Sequence, residues 1–261
     1  MECKPGKKIY FLSDFHLGVP DRKSSLEREK KVVLFLERIR KDACGIFLAG
    51  DAFDFWFEYR RVVPKGYVRL LGKLAELVDS GIPIHFFVGN HDMWMNDYFQ
   101  QELGISVFHE PRTYTLNGKK FLIGHGDGLG PGDQGYKMLK KIFRNPLCQW
   151  LFGVLPPVLG MGLAHRFSQS SRTATGQTDA QFLGEEREWL LQYCQEQLRL
   201  QPQDYFVFGH RHLPIDYRLP SGSRYISLGD WMTYYSYAQF DGERMDLLSF
   251  LPELSQKIYR L

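Results

Sequence analysis

The residues best suited to chemistry in this chain are Asp, Asn and His side chains that come directly after short apolar runs. Five clusters of this kind contain five of the eight histidines: Asp14-Phe15-His16, Gly50-Asp51, Gly89-Asn90-His91-Asp92, Gly124-His125-Gly126-Asp127 and Gly209-His210-Arg211-His212. Their potential metal ligands are three oxygen donors and four imidazoles, without a thiolate: Asp14, Asp51, Asn90, His16, His125, His210 and His212. Such a mixed shell suits Mn, Fe, Zn or Mg and argues against copper(I) and iron–sulfur clusters.

Seven ligands are too many for one tetrahedral ion. Two divalent ions about 3.5–4 Å apart that share one carboxylate would use all of them, and Asp51 is our choice for the shared ligand. That geometry holds both the attacking and the leaving oxygen of a phosphoryl displacement. The ligand set therefore predicts a dinuclear metal site for metal-assisted hydrolysis of a phosphate ester or anhydride.

The apolar runs that precede the clusters are brief and rich in β-branched and aromatic residues, which is typical of buried strands: residues 9–12, 46–48, 84–88, 121–123 and 205–208. The ligands would then lie at the carboxyl ends of strands, where open α/β sheets place their sites. Each cluster alone is also a common turn, and a lone histidine is often part of a core. Five clusters in one chain favour one shared site.

The chain resembles the calcineurin-like metallophosphoesterases over residues 8–230, through five motifs in that family's order: Asp14-x-His16, Gly50-Asp51-x-x-Asp54, Gly89-Asn90-His91-Asp92, Gly124-His125 and Gly209-His210-x-His212. The resemblance implies two metal groups: Asp14, His16, Asp51 and His212 for one ion, and Asp51, Asn90, His125 and His210 for the other. It also implies that His91 faces the scissile phosphate as a catalytic residue, and we expect Asp54 to orient its ring and keep it cationic. We expect the metal to be Mn²⁺, with Fe, Zn or Mg as alternatives.

A narrower resemblance, to the UDP-2,3-diacylglucosamine hydrolases, rests on His125-Gly126-Asp127 and on the residues that follow it. It implies cleavage of the pyrophosphate of a UDP-linked diacyl sugar in lipid A biosynthesis, which gives a lipid monophosphate and UMP. It also implies contacts to the substrate from Asp133, Tyr136, Arg144, Arg166 and Arg172. The chain has His91 where that family has an arginine.

The predicted fold class is α/β, with two packed mixed β-sheets flanked by helices in a four-layer sandwich and a helical lid insertion. We expect one domain over residues 1–261, with the insertion at about 133–200. Helices are predicted from Ser24 to Arg40 and from about Tyr67 to Asp79, and the Asn117-Gly118 pair predicts a hairpin turn. Four further strands are expected in the last third of the chain.

The insertion contains a long uncharged stretch, because no charged residue occurs between Leu147 and Ala164. Spanning a membrane needs about 20 helical residues, and the glycines and prolines of this stretch argue against that. The functional interpretation is a lid of two short helices whose apolar faces hold acyl chains, flanked by basic residues. The alternative is an ordinary helical hairpin packed on the core.

Composition limits the remaining possibilities. A content of 44% apolar residues argues against disorder, and a net charge of +3 is too small to predict binding to nucleic acid. Widely spaced cysteines and the absence of a signal-peptide pattern predict a cytoplasmic protein with four free thiols: Cys3, Cys44, Cys148 and Cys194. The resemblance to the UDP-2,3-diacylglucosamine hydrolases implies a location peripheral to the inner membrane. A phosphoesterase for soluble substrates, a nuclease and a non-catalytic scaffold remain alternatives.

Overall fold

The structure is a computed structural model that describes residues 1–132, 134–163 and 181–261. Two mixed six-stranded sheets dominate it, as predicted. The first sheet has the order β11-β10-β1-β2-β3-β4; these strands are β1 Lys8–Leu12, β2 Ala43–Leu48, β3 Ile84–Phe87, β4 Ser106–Phe108, β10 Ser236–Phe240 and β11 Met245–Ser249. The second has the order β12-β8-β9-β7-β6-β5; its strands are β5 Arg112–Leu116, β6 Lys119–Gly124, β7 Tyr205–Phe208, β8 Pro214–Arg218, β9 Arg224–Leu228 and β12 Tyr259–Arg260.

The core lies in three layers that follow from the alternation of side chains along the strands. In β1, Ile9 and Phe11 face the space between the two sheets, where the ring of Phe11 stacks on Phe47 of β2 and Phe121 of β6. Tyr10 and Leu12 face the helices on the outside of the first sheet. A third cluster covers the outer face of the second sheet. The predicted four-layer sandwich is therefore confirmed.

The helices cover the outer faces of the sheets and form the segment before β7: α1 Arg22–Ile39, α2 Val68–Asp79, α3 Tyr98–Leu103, α4 Gln134–Phe143, α5 Pro146–Val154 and α6 Trp189–Leu200. The start of α1 differs from the prediction, because Asp21 caps it by accepting hydrogen bonds from the amides of Lys23 and Ser24. The hairpin at Asn117-Gly118 is confirmed by the pairing of β5 with β6. A short 3₁₀ helix, Pro252–Lys257, precedes β12.

Helices α4 and α5 bury almost none of their apolar side chains. Neither helix contains a buried residue. Eleven of the eighteen large apolar side chains that are exposed among the described residues lie in this part of the chain: Met138, Leu139, Ile142, Leu147, Trp150, Leu151, Val154, Leu155, Val158, Leu159 and Leu163. A hairpin packed on the core by these residues is thereby excluded. No helix in the described part of the chain has the length and apolar character that crossing a membrane requires.

The cysteine prediction was wrong for two of the four residues. Cys3 and Cys44 form a disulfide with a Cα–Cα distance of 6.0 Å, while Cys148 and Cys194 are free. The pairing follows from the fold, since Cys3 precedes β1 and Cys44 lies on the neighbouring strand β2. A separation of 41 residues in the sequence conceals this proximity.

Candidate metal centre

The seven predicted ligands meet where the carboxyl ends of five strands face each other across the two sheets. Parallel pairing aligns Leu12 with Leu48 in the first sheet and Gly124 with Phe208 in the second. The loops after β1, β2 and β3 supply Asp14, His16, Asp51 and Asn90, and the loops after β6 and β7 supply His125, His210 and His212. Both sheets are therefore needed to build the site.

One group of ligand atoms surrounds Asp14. His212 Nε2 lies 3.3 Å from Asp14 Oδ1, and His16 Nε2 lies 3.2 Å from His212 Nε2. His16 Nε2 is also 3.7 Å from Asp51 Oδ2. Ligands about 2.1 Å from one ion lie about 3.0–3.4 Å from each other, so this spacing fits a common ion.

A second group shares Asp51 Oδ2 with the first. His125 Nε2 lies 3.3 Å from that oxygen and 3.2 Å from Asn90 Oδ1, and His210 Nδ1 is 3.0 Å from the same Asn90 oxygen. The other carboxylate oxygen, Asp51 Oδ1, accepts a hydrogen bond from the His91 amide at 2.8 Å. Asp51 Oδ2 is thus the atom common to both groups, as expected of a bridging ligand.

The backbone at the ligands is unusual. Four of the seven non-glycine residues with positive φ among the described residues are predicted ligands: Asp14, His16, Asp51 and His210. Left-handed backbone is unfavourable for residues with a Cβ atom, and such residues concentrate at functional sites. The strand ends therefore hold these side chains in conformations that an ordinary turn would avoid.

Glycines next to the ligands permit a very close approach of neighbouring loops. A Cβ atom on Gly89 would lie 2.1 Å from Asp51 Oδ1, and one on Gly50 would lie 2.6 Å from His125 Nδ1. Gly50 also has a φ of +89°, which favours glycine. The small residue before a ligand is therefore required by the geometry of the site.

Three buried residues that support the ligands were not predicted. Asp92 accepts hydrogen bonds from the amides of Gly89 at 2.7 Å and Ala52 at 2.9 Å, and burial followed by the charge of Asp51 raises its pKa to about 7. The guanidinium of Arg28 donates to the carbonyl of His16 at 2.9 Å, and the Ser13 hydroxyl donates to Asp14 Oδ2. Ser13 precedes the predicted ligand Asp14 and Asp92 follows the predicted ligand Asn90 by two residues, but the partners of both become visible only in the fold.

The buried carboxylates of the cluster favour the binding of positive charge. Burial opposes protonation of His16 and His125, yet the carboxylates around them, Asp14 and Asp51 above all, raise both pKa values to about 10. Burial also opposes ionisation of Asp51, but the neighbouring His125 and His91 hold the pKa of that carboxyl well below its usual range. A cluster that attracts protons this strongly will also attract divalent cations, which compete for the same lone pairs.

The residues present fit a pair of divalent metal ions. Asp14 Oδ1 is fully buried and accepts no hydrogen bond from the described part of the chain, which is costly for a carboxylate oxygen that lacks a cation. Imidazole nitrogens and oxygens converge on it, and the donors are those preferred by Mn, Fe, Zn and Mg. The His125 ring is oriented for ligation through Nε2, because its Nδ1 is paired with the carbonyl of Ala49 at 2.7 Å.

His91 stands beside this cluster. A ring nitrogen of His91 lies within 4.8 Å of ligand atoms of His16 and Asp51. Its Nδ1 pairs with the backbone carbonyl of Asp54 at 3.0 Å, and Asp54 Oδ1 lies 3.7 Å from Nδ1 of both His91 and His16. The expectation that Asp54 keeps His91 cationic was wrong, because burial lowers the pKa of His91 and outweighs the attraction of Asp51 and Asp54.

The residues expected to contact the substrate are only partly brought to the site. Tyr136 lies near it, with its ring centroid 6.5 Å from that of His210 and its hydroxyl donating to Asp127 Oδ2 at 2.5 Å. Arg144 pairs with Glu110 and donates to the carbonyl of His109 at 2.5 Å, and neither partner is a predicted ligand. The other three positions lie outside the described residues: Asp133, Arg166 and Arg172.

Residues 7–214, most of the chain, match the family described as calcineurin-like phosphoesterase. The chain therefore belongs to the calcineurin-like phosphoesterases, and it is a metal-dependent hydrolase. The family and the clustered His and Asp residues together indicate a dinuclear metal site.

Two relatives and one solved structure illustrate the likeness. A UDP-2,3-diacylglucosamine hydrolase from Porphyromonas gingivalis is 41% identical over 254 residues, which cover 93% of this chain and 97% of the relative. A protein of the same name from Ectopseudomonas mendocina is 28% identical, with 93% of this chain and 98% of the relative covered. The crystal structure of a dimetal phosphatase from Danio rerio aligns with 94% of this chain and 96% of its own, at 14% identity and a TM-score of 0.45.

Proposed function

We propose that the protein hydrolyses the pyrophosphate of UDP-2,3-diacylglucosamine to 2,3-diacylglucosamine 1-phosphate and UMP, a step of lipid A biosynthesis. The observation that carries the proposal is the combination of a two-metal ligand cluster with a helical segment whose apolar side chains are exposed. A hydrolase of small soluble esters needs only the first. The name of the relative that is 41% identical supplies the substrate.

Two divalent ions, most simply Mn²⁺, fit the cluster, with Asp14, His16, Asp51 and His212 around one and Asp51, Asn90, His125 and His210 around the other. When bound, they supply Lewis acidity that makes water nucleophilic at neutral pH and neutralises the oxygens of the phosphate. No covalent intermediate on the protein is needed. The protein contributes the fixed spacing of the ligands, which the left-handed strand ends and the hydrogen bonds of Asp92 maintain.

His91 acts on the substrate rather than on the metals. Its place beside His16 and Asp51 puts its protonated form where it stabilises the charge that develops on the phosphate or protonates the leaving oxygen. Burial lowers the pKa of His91, so the protonated ring is a stronger acid than a free imidazolium. Asp54 orients the ring, since its carbonyl pairs with Nδ1 at 3.0 Å. The side-chain carboxylate of Asp54 lies 3.7 Å from Nδ1 of both His91 and His16, so Asp54 connects the catalytic histidine with a predicted metal ligand.

The helical segment, residues 134–163, receives the acyl chains. Its exposed apolar residues need a nonaqueous partner, and the diacyl group of the substrate is one. The segment contains four basic residues and no acidic one, a composition that favours the surface of an anionic bilayer. Lys140 and Arg144 are paired with Asp127 and Glu110, whereas Lys141 is exposed. The protein then works in the cytoplasm, at the inner face of the membrane.

The test is a product analysis with purified, Mn²⁺-loaded protein and UDP-2,3-diacylglucosamine in mixed micelles. We expect equimolar UMP and lipid monophosphate by mass spectrometry, and no turnover by the matched Asp51→Asn protein. UDP-N-acetylglucosamine, which lacks the acyl chains, serves as the soluble comparison. Faster hydrolysis of this soluble nucleotide sugar than of the lipid would refute the proposed substrate.

A further inference from the structure

Helix α4 is attached to the rest of the protein by polar contacts along its length and, at its last residue, by the ring of Phe143, which packs edge-on against Trp94 with centroids 5.6 Å apart. None of its ten residues is buried, and three of its apolar side chains are exposed: Met138, Leu139 and Ile142. Its contacts with the body of the protein come from residues spaced along one face. Lys137 donates to the carbonyl of Gly130, and Tyr136 and Lys140 both reach Asp127.

Asp127 is the point on which these contacts converge. Its Oδ2 accepts a hydrogen bond from the Tyr136 hydroxyl at 2.5 Å and lies 2.6 Å from Lys140 Nζ. The same ammonium donates to the Asp127 carbonyl at 2.8 Å. Asp127 is only 5% exposed, so water competes weakly for these bonds and the ammonium compensates the charge of the carboxylate.

Asp127 is also rigidly joined to the metal centre. It follows the predicted ligand His125 by two residues, with Gly126 between them at a φ of +116°. A Cβ on Gly126 would lie 3.2 Å from Leu190 of α6, so this connection packs closely against the neighbouring helix. The side chain of Asp127 therefore moves with the loop that carries His125.

We propose that Asp127 is a positioning residue that fixes helix α4, and with it the apolar segment 134–163, at one distance from the metal centre through Tyr136 and Lys140. The proposal rests on the proposed function only for its consequence, which is the alignment of an acylated substrate with the metals. A helix held by one charged pair, a few hydrogen bonds and one aromatic contact at its last residue can detach over most of its length without unfolding the sandwich. Asp127 thus determines whether the apolar segment 134–163 is held next to the metal centre, where both can bind one substrate molecule.

The test removes the charge on the helix and leaves the metal loop intact. In Lys140→Met, Asp127 keeps Tyr136 but loses its ion pair, so α4 should detach in part. Hydrogen exchange of the amides in residues 134–143 should then quicken by about tenfold, while β1, β2 and β6 exchange as in the wild type. Lys141→Met, which removes the neighbouring exposed charge, is the matched control and should leave exchange unchanged.

Kinetics separate a positioning role from a merely structural one. If α4 is docked in about one-tenth of Lys140→Met molecules, KM for the lipid should rise about tenfold, since only that fraction is competent to bind. The metal content and the hydrolysis of bis(p-nitrophenyl) phosphate, which needs no acyl site, should stay near wild type. Lys140→Arg, which retains the charge, should restore KM and slow exchange.

Two results would overturn the proposal. Equal exchange of α4 in Lys140→Met and Lys141→Met would show that the Asp127 contacts do not hold the helix. Loss of metal from Lys140→Met would show that the pair serves the centre itself. If the wild type does not cleave the lipid while exchange responds as expected, the proposed substrate fails and the positioning role of Asp127 stands.

Discussion

The metal cluster and the helical segment 134–163 depart from the usual pattern of burial in opposite ways. In the cluster, polar groups are buried: Asp14, His16, Asp51 and His125 are each at most 3% exposed. In the segment, apolar groups are exposed, with Val158 at 83% and Trp150 at 64%. Buried charge and exposed apolar surface are both unfavourable unless a ligand compensates them. Under the proposed function, each region is compensated by a different partner, the metals and phosphate in one and the lipid in the other.

The two regions touch at a defined place. Phe152 of α5 packs against Phe57 and Trp94, with ring centroids 4.8 Å and 4.7 Å apart. Trp94 Nε1 also donates to the carbonyl of Phe143 at the end of α4 at 2.7 Å. Phe57 and Trp94 belong to loops that follow the ligands Asp51 and Asn90. The comparison therefore predicts that changes in the cluster affect all substrates, and changes in the segment affect lipids alone.

The largest effect is expected for Asp51→Asn. Both ligand groups would lose their shared anionic oxygen, so hydrolysis of the lipid and of a small diester should fall by about a thousandfold, together with the metal content measured by atomic emission. A protein with two tightly bound ions and near-normal turnover would contradict the shared-carboxylate arrangement.

His91→Ala should reduce the rate by about a hundredfold or more, within the range typical of a general acid, and leave the metal content intact. Steady-state kinetics on both substrates, paired with metal analysis, test this expectation. Loss of metal would identify His91 as a ligand instead. A rate close to that of the wild type would make it a structural residue.

The double substitution Leu155→Asp and Leu159→Asp should act on the lipid only. A charge left unpaired against an acyl chain is unfavourable, so lipid turnover should fall by about tenfold or more, whereas a small diester should be cleaved as before. Leu34→Asp, on the exposed face of α1, is the matched control because this leucine is 60% exposed and lies far from the segment in the sequence. Equal losses on both substrates would show that residues 155 and 159 support the fold.

The smallest effect is expected for Lys141→Glu, which reverses one exposed charge of the segment. Each basic residue near an anionic bilayer contributes about 1 kcal/mol, so binding to vesicles of phosphatidylglycerol should weaken severalfold in a sedimentation assay. Lys30→Glu on α1 is the control. Binding that does not distinguish the two variants would argue against a membrane-facing segment.

Much of the metal cluster could be predicted because its signals are local. A small residue, Ser13 after β1 and a glycine at the end of the other four strands, precedes a ligand at the end of each buried strand, and parallel pairing then brings the strand ends together. The left-handed conformations of Asp14 and His210 are not visible, since they depend on packing between loops. The support from Asp92 is hidden for the same reason, because its carboxylate reaches amides 40 residues away.

Less could be predicted about properties that depend on contacts between residues far apart in the sequence. The pKa of His91 depends on how deeply the folded loops bury the ring, which its neighbours in the sequence do not reveal. The pairing of the Arg144 guanidinium with Glu110, 34 residues away, is equally invisible in the sequence, and the contact of Arg144 with the substrate stays a prediction. Cys3 and Cys44 were expected to be free, and only the order of strands in the first sheet shows that they meet.

The division of the ligands between the two sheets has a consequence for stability. Four predicted ligands follow strands of the first sheet and three follow strands of the second, so bound ions would link the two sheets of the sandwich. A ligand that binds only the folded chain at 100 times its Kd raises the free energy of unfolding by about 2.7 kcal/mol. The melting temperature should thus rise with the free metal concentration, and a chelator should lower both the stability of the protein and its activity.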